Sequence, residues 1–271
     1  MDRRPIGVFD SGLGGLTAVR QLRAQLPSEN IIYFGDTSRV PYGNRSRDTI
    51  LKYARQDMAF LRSFDPKIVV IACGTVSSNC LSVLQAEAGI PVIGVVEPVV
   101  RRAASLTKNR KVGLIATRAS VSSGAYEGAF RRIAPAAEVY SQACPLFVPL
   151  VEEGHFRAGD RLIELAAEEY LPALKAAGVD TLALGCTHYP LLAEVIGQVM
   201  GADVALVDAG AEAAKECQAV LEARDALADA GQEGFADYYT SDRAADFQRL
   251  ASLFLGEDVM SQARQIDITQ Y

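Results

Sequence analysis

Short unbroken apolar runs alternate along the chain with longer stretches in which apolar positions recur every three or four residues. Ile68-Val-Val-Ile-Ala72 has no polar alternation, as a strand buried on both faces of a parallel sheet requires. Similar runs predict strands over 5–9, 30–34, 92–95, 112–116, 139–143, 181–184, 204–207 and 235–240. Between them, helical periodicity predicts helices over 16–26, 47–64, 79–88, 124–134, 160–174, 191–200, 209–226 and 247–255. In the first of these, Leu16, Val19, Leu22 and Leu26 form the apolar stripe, with Arg20, Gln21 and Gln25 outside it. Glu97-Pro98 reads as the close of the fourth strand, and 145–154 as an irregular apolar connection. Strands alternating with helices throughout predict an α/β protein with parallel sheets of the doubly wound kind.

One unit occurs twice. A buried strand ends in Cys73-Gly-Thr75, and a second ends in Gly-Cys186-Thr187-His188, each followed by a helix. In open α/β sheets, ligands collect at the carboxyl ends of the strands, so both thiols are expected in a functional crevice. The duplication predicts two doubly wound parallel-sheet lobes related by pseudo-two-fold symmetry, with the active site in the cleft between them. Asp10, at the exit of the first strand, stands in the same class of position. The glycine-rich turn after it lacks the Gly-x-Gly-x-x-Gly spacing, and the carboxylate ahead of it would repel a phosphate. A turn or N-cap residue is the plainer reading of Asp10.

The composition removes several classes of function. A net charge of −6 with no basic cluster argues against a nucleic-acid partner. Arg101-Arg102 and Arg131-Arg132 read as pairs on solvated helix faces. No segment approaches the ~20 apolar residues of a membrane span, and no signal-like apolar region precedes the first strand. Five cysteines without a Cys-x-x-Cys pair suggest reduced thiols in a cytoplasmic protein, with neither a disulfide framework nor a zinc ribbon.

Two thiols facing one substrate suit proton transfer at a carbon. A free Cys has a pKa of about 8.5, so thiol and thiolate are both accessible. One thiolate and one thiol on opposite faces of a stereocentre can remove a proton from one side and supply one from the other, inverting configuration. Asp10 and His188 are placed to accept or return a thiol proton. Ser11, Thr75, Thr187 and nearby backbone N–H groups could bind a carboxylate and stabilise charge developing on it. Cys80, Cys144 and Cys217 read as small core hydrophobes, and His155 as structural or surface. No local spacing marks a metal site among Cys73, Cys186 and His188. No lysine stands at a strand end to form a Schiff base, so a reaction without a cofactor is expected.

Several motifs, in order along nearly the whole chain, resemble the glutamate racemase family. They are Phe9-Asp10-Ser11-Gly-Leu-Gly-Gly-Leu16, Pro41-Tyr42-Gly43, Cys73-x-Thr75, Cys144-Pro-Leu-Phe-Val-Pro-Leu-Val-Glu152-Glu-Gly154 and Gly185-Cys186-Thr-His-Tyr-Pro-Leu-Leu192. The resemblance implies a cofactor-independent racemase that supplies D-glutamate for peptidoglycan in the bacterial cytoplasm, usually as a homodimer. It implies a first lobe of residues 1–97 and 209–271 carrying Cys73, and a second of 98–208 carrying Cys186. Cys73 and Cys186 would be the acid/base pair, Asp10 supporting the first, and His188 with Glu152 the second. Ser11, Pro41, Tyr42, Gly43, Thr75 and Thr187 would hold the amino acid, with Thr117 and Ser120 as a substrate-binding turn. The family usually reads Cys-Asn-Thr where this chain has Cys73-Gly74-Thr75. Gly74 thus lies in the binding set without the amide, and on sequence grounds an Asn there is expected to be tolerated. The alternatives are an aspartate racemase or another two-cysteine racemase, and, outside catalysis, an amino-acid-binding or thiol-redox protein on the same scaffold.

Overall fold

A computed structural model describes residues 2–231, 233–256 and 263–271; residues 1, 232 and 257–262 lie outside the description. The apolar runs form strands Ile6–Asp10 (β1), Ile31–Gly35 (β2), Ile68–Ile71 (β3) and Val92–Gly94 (β4), buried at every position. Lys111–Ala116 (β5), Glu138–Ala143 (β6), Thr181–Leu184 (β7) and Ala205–Asp208 (β8) follow. Ala236–Thr240 (β9) and Ala263–Gln265 (β10) come last. They make two sheets, one in the order β10-β9-β2-β1-β3-β4 and one in the order β6-β5-β7-β8, and every pairing is parallel.

The strand order explains where a ligand can sit. From β1 the chain goes to β2 on one side and then to β3 on the other, so the direction of winding reverses between β1 and β3. In the second sheet the same reversal falls between β5 and β7. At such a switch point the adjoining loops part and leave a crevice at the carboxyl edge. The register pairs Phe9 with Ile71 and Ile115 with Leu184. Two residues further on come Ser11 and Cys73, in hydrogen-bond contact, and Thr117 and Cys186, each pair at a switch point.

Several elements differ from what periodicity predicts. The helix after Cys73 begins at once and spans Gly74–Ala88; Cys73 is its N-cap and its carbonyl accepts from Ser77 N at 2.9 Å. Gly, Thr, Val and Ser are poor helix formers, but burial of this turn between the sheets overrides propensity. Glu97-Pro98 opens the helix Val96–Leu106 rather than closing a strand, because a proline in the first turn forfeits no intrahelical hydrogen bond. The same rule holds for Pro149 in the helix Phe147–Glu152, within the stretch expected to be irregular. Pro172 divides the expected helix over 160–174 into Arg161–Tyr170 and Pro172–Ala176. Strand β10, at the sheet edge, is too short to carry a periodic signal.

Helix Ala209–Ala223 is capped by Asp208, whose Oδ1 accepts from Gly210 N at 2.8 Å, and it packs on helices Leu16–Gln25 and Val96–Leu106. Just before β3, Lys67 is buried against Glu29 with Nζ and Oε2 2.5 Å apart. Lys67 Nζ also donates to the carbonyls of Asp2 and Ala226, and Glu29 Oε1 accepts from Ala228 N. This pair ties the start of the chain, the end of helix Ala209–Ala223 and the first sheet together. Lys67→Met would leave the Glu29 carboxylate buried without its cation. The expected cost is about 3–5 kcal/mol, read as a lowered urea midpoint with an unchanged slope. A midpoint within error of the parent's would exclude this role.

Candidate active site

The two carboxyl edges face each other across a cavity of about 170 Å³. Asp10, Ser11, Pro41, Tyr42, Gly43, Cys73, Gly74, Thr75, Thr117, Glu152, Cys186, Thr187 and His188 line it. Of the residues singled out in the sequence, Ser120 alone is absent from the lining. It is buried behind Thr117, whose Oγ1 lies 3.0 Å from its Oγ and accepts from its backbone N at 3.3 Å. Thr117 is thereby the cap of the short helix Arg118–Ser122, and its hydroxyl reaches Thr75 Oγ1 across the cleft at 3.0 Å.

The two thiols have different neighbours. Cys73 Sγ donates to Ser11 Oγ at 3.4 Å, and no hydrogen bond joins it to Asp10 among the described residues. Burial, with the Asp10 carboxylate nearby, pushes the Cys73 thiol up to about 12. Asp10 is itself raised by burial; its Oδ2 accepts from Gly12 N at 3.2 Å, while its Oδ1 is buried with no partner among the described residues. Cys186 Sγ lies 3.8 Å from His188 Nδ1, and His188 Nε2 lies 3.0 Å from Glu152 Oε1. Burial alone would lower His188. The hydrogen bonds to Cys186 and Glu152 outweigh it and push the imidazole up to about 10, which favours its protonated form beside Cys186.

The glycines after Asp10 serve close approach. A Cβ on Gly14 would lie 2.3 Å from Thr187 Oγ1 and 2.4 Å from His188 Nδ1. Thr17, at the start of the helix that follows, donates to the Thr187 carbonyl at 3.0 Å, so the first strand–helix junction is seated directly on the Cys186-Thr-His segment. At Gly74 a Cβ would fall 2.1 Å from the Gly185 carbonyl oxygen. The expectation that Asn is tolerated there therefore does not hold for this geometry: the obstacle is backbone, which cannot swing aside as a side-chain tip can.

Sequence reasoning missed some of the lining. Cys144, read as a core hydrophobe, is fully buried and also faces the cavity. Pairing of Ala116 with Ala143 places it beside Thr117, on the side away from Cys186. Its position at a strand exit was the available signal. Its Sγ is turned to the Gln142 carbonyl at 3.7 Å. Asn44 and Arg118 also line the cavity, and each sits in a loop or strand exit already singled out. The Tyr42 hydroxyl is directed away from the cavity to the carboxylates of Asp36 and Asp57, which no motif indicated. Cys80 and Cys217 are core thiols as expected, and His155 is a partly exposed partner of Asp160 at 2.7 Å. Among the described residues no three His, Cys, Asp or Glu side chains converge as a metal-ligand set, and no helix is long and apolar enough to cross a membrane.

Comparison with known proteins bears on this site. Residues 16–217 match the Asp/Glu/hydantoin racemase family. A glutamate racemase of Geobacter metallireducens is 46% identical over 256 residues, covering 94% of each chain. The crystal structure of glutamate racemase from Francisella tularensis in complex with D-glutamate superposes with a TM-score of 0.92 at 39% identity over 100% of both chains. An aspartate racemase of Picrophilus torridus shares only the fold, with a TM-score of 0.56 at 16% identity over 82% of this chain and 94% of that one. Matched along most of its length to one family and over nearly its whole length to glutamate racemases, the chain belongs to the Asp/Glu/hydantoin racemase family and is an amino-acid racemase of its glutamate racemase branch.

Proposed function

We propose that the cleft interconverts L- and D-glutamate by proton transfer between Cys73 and Cys186 on opposite faces of the α-carbon. The observation that carries this reading is the placement of the two thiols on facing sheet edges of one cavity, each with its own proton-handling neighbour. From L-glutamate, the Cys186 thiolate beside the His188 imidazolium takes the α-proton, and the Cys73 thiol supplies a proton to the other face. From D-glutamate the roles exchange. Asp10, its carboxyl raised by burial, then accepts the proton that Cys73 must shed. The unpartnered Asp10 Oδ1 suits the α-ammonium group, and the hydroxyls of Ser11, Thr75, Thr117 and Thr187 suit the carboxylates. Pro41, Tyr42, Gly43 and Gly74 shape the wall against the chain of the amino acid, with Ser120 acting through Thr117.

The same reading extends to organisation and setting. The chain divides into a lobe of residues 1–97 with 209–271 and a lobe of 98–208, with helix Val96–Leu106 straddling the first boundary. The return of helix Ala209–Ala223 onto helix Leu16–Gln25 supports that division. A cytoplasmic homodimer supplying D-glutamate for peptidoglycan fits the family and the reduced thiols.

Chiral analysis of L-glutamate and L-aspartate, each incubated with the purified protein and no added cofactor, tests the substrate. Glutamate is expected to approach the racemic mixture. Aspartate is one methylene shorter and leaves donors to its distal carboxylate unpaired at about 1–3 kcal/mol per buried group, so its turnover falls by roughly tenfold or more. Comparable turnover of both amino acids would exclude glutamate as the specific substrate.

A further inference from the structure

Behind the Pro41–Asn44 wall lies a buried cluster that the proton transfers leave unused. Asp36, at the exit of β2, and Asp57, on helix Arg47–Arg62, are both fully buried. The Arg39 guanidinium lies between them: Nε donates to Asp36 Oδ2 at 2.5 Å, Nη2 to Asp57 Oδ1 at 3.1 Å and Nη1 to Gln56 Oε1 at 2.5 Å. The Tyr42 hydroxyl donates to the same two carboxylates, to Asp57 Oδ2 at 3.3 Å. The other oxygen of Asp36 accepts from the Ser241 hydroxyl at 2.7 Å, just past β9.

Burying two carboxylates and a guanidinium is a poor way to gain stability, since a well-packed apolar trio of equal volume would hold as well. What a planar, five-donor fork does provide is a fixed geometry that Lys or an apolar residue cannot reproduce. The residues it fixes belong to the cleft. Tyr42 and Gly43 line the cavity, and Gly43 is pressed so closely on Thr117 that a Cβ there would lie 2.9 Å from Thr117 Cβ.

We infer that Arg39 is a positioning residue for the amino-acid substrate: forked between Asp36 and Asp57, it holds Tyr42 and Gly43 in the wall of the cleft. The inference rests on the glutamate reading above. It is distinct from the acid/base chemistry, because Arg39 touches neither thiol.

Kinetics and backbone hydrogen exchange of Arg39→Met and Arg39→Lys test it. In Arg39→Met the KM for glutamate should rise by roughly tenfold or more while kcat stays within about threefold, and Arg39→Lys should fall between this and the parent. Exchange should accelerate over residues 36–46 and not in β1 or β3. Asp57→Asn offers one carbonyl oxygen where Asp57 offers Oδ1 to Arg39 and Oδ2 to Tyr42, so one of the two bonds is lost and KM should rise, by less than in Arg39→Met. If Arg39→Met does not fold, Arg39→Lys and Asp36→Asn carry the same comparison. An unchanged KM in a folded Arg39 variant, or unchanged exchange over 36–46, overturns the inference. Should the parent fail to turn over glutamate, it is the substrate reading that fails, and the exchange measurement still decides whether Arg39 holds the loop.

Discussion

Cys73→Ser and Cys186→Ser each lower glutamate racemisation by roughly 10³-fold or more in a protein that still folds. Proton transfer by a positioned side chain contributes about 10²–10⁴-fold, and a serine hydroxyl is too weak a base to take over from a thiolate. Either loss applies to both enantiomers, because one face of the α-carbon then lacks a base or an acid whichever way the reaction runs. Cys144 offers no rescue, since its thiol is turned to the Gln142 carbonyl. In heavy water the parent should give product carrying deuterium at the α-carbon while unreacted substrate stays protiated, since the incoming proton comes from the opposite face. The variants should differ in what they retain: Cys73→Ser should exchange the α-proton of L-glutamate alone, and Cys186→Ser that of D-glutamate alone. Near-normal racemisation by either variant, or return of the original proton to product in the parent, would dismiss the two-base mechanism.

Gly74→Asn should fold and lose roughly tenfold to a hundredfold in kcat/KM, against the expectation from sequence alone. The Cβ would meet the Gly185 carbonyl at 2.1 Å. Gly185 cannot retreat easily, because its own Cα is packed so that a Cβ there would sit 3.0 Å from Ile115 O, Ala116 Cβ and Leu114 Cδ1. Relief must therefore come from separation of the two edges. Cys73 precedes Gly74 and Cys186 follows Gly185, so any separation widens the gap between the thiols, which must each stay within proton-transfer reach of one carbon. Melting measurements distinguish this from unfolding: the transition should remain cooperative while activity falls. Parent-like turnover with a lower KM would instead show that the edges yield freely and that the missing amide is a binding group.

Local patterning along the chain is enough to reveal the class of fold, the two thiols and most of their company. Uninterrupted β-branched runs such as Ile68–Ile71 can satisfy their surface only between two covering layers, so they announce buried parallel strands without reference to anything distant. A Cys at the end of each of two such strands is a local pattern, as are the two separate motifs that carry Asp10 and His188. Other features depend on pieces far apart in the chain. Helix starts at Gly74 and Val96 are set by packing between elements rather than by local propensity, and Cys144 becomes a cavity residue only through the register of β6 against β5. The Asp36–Arg39–Asp57 cluster joins a loop, a helix and the exit of β9, so no spacing in the sequence signals it. Gly74 is the sharpest case: a missing side chain reads as a gap along the sequence, but the Gly185 carbonyl from the other sheet already occupies that space. Excluded volume between distant segments is a property of the fold, and a pattern read along one strand does not contain it.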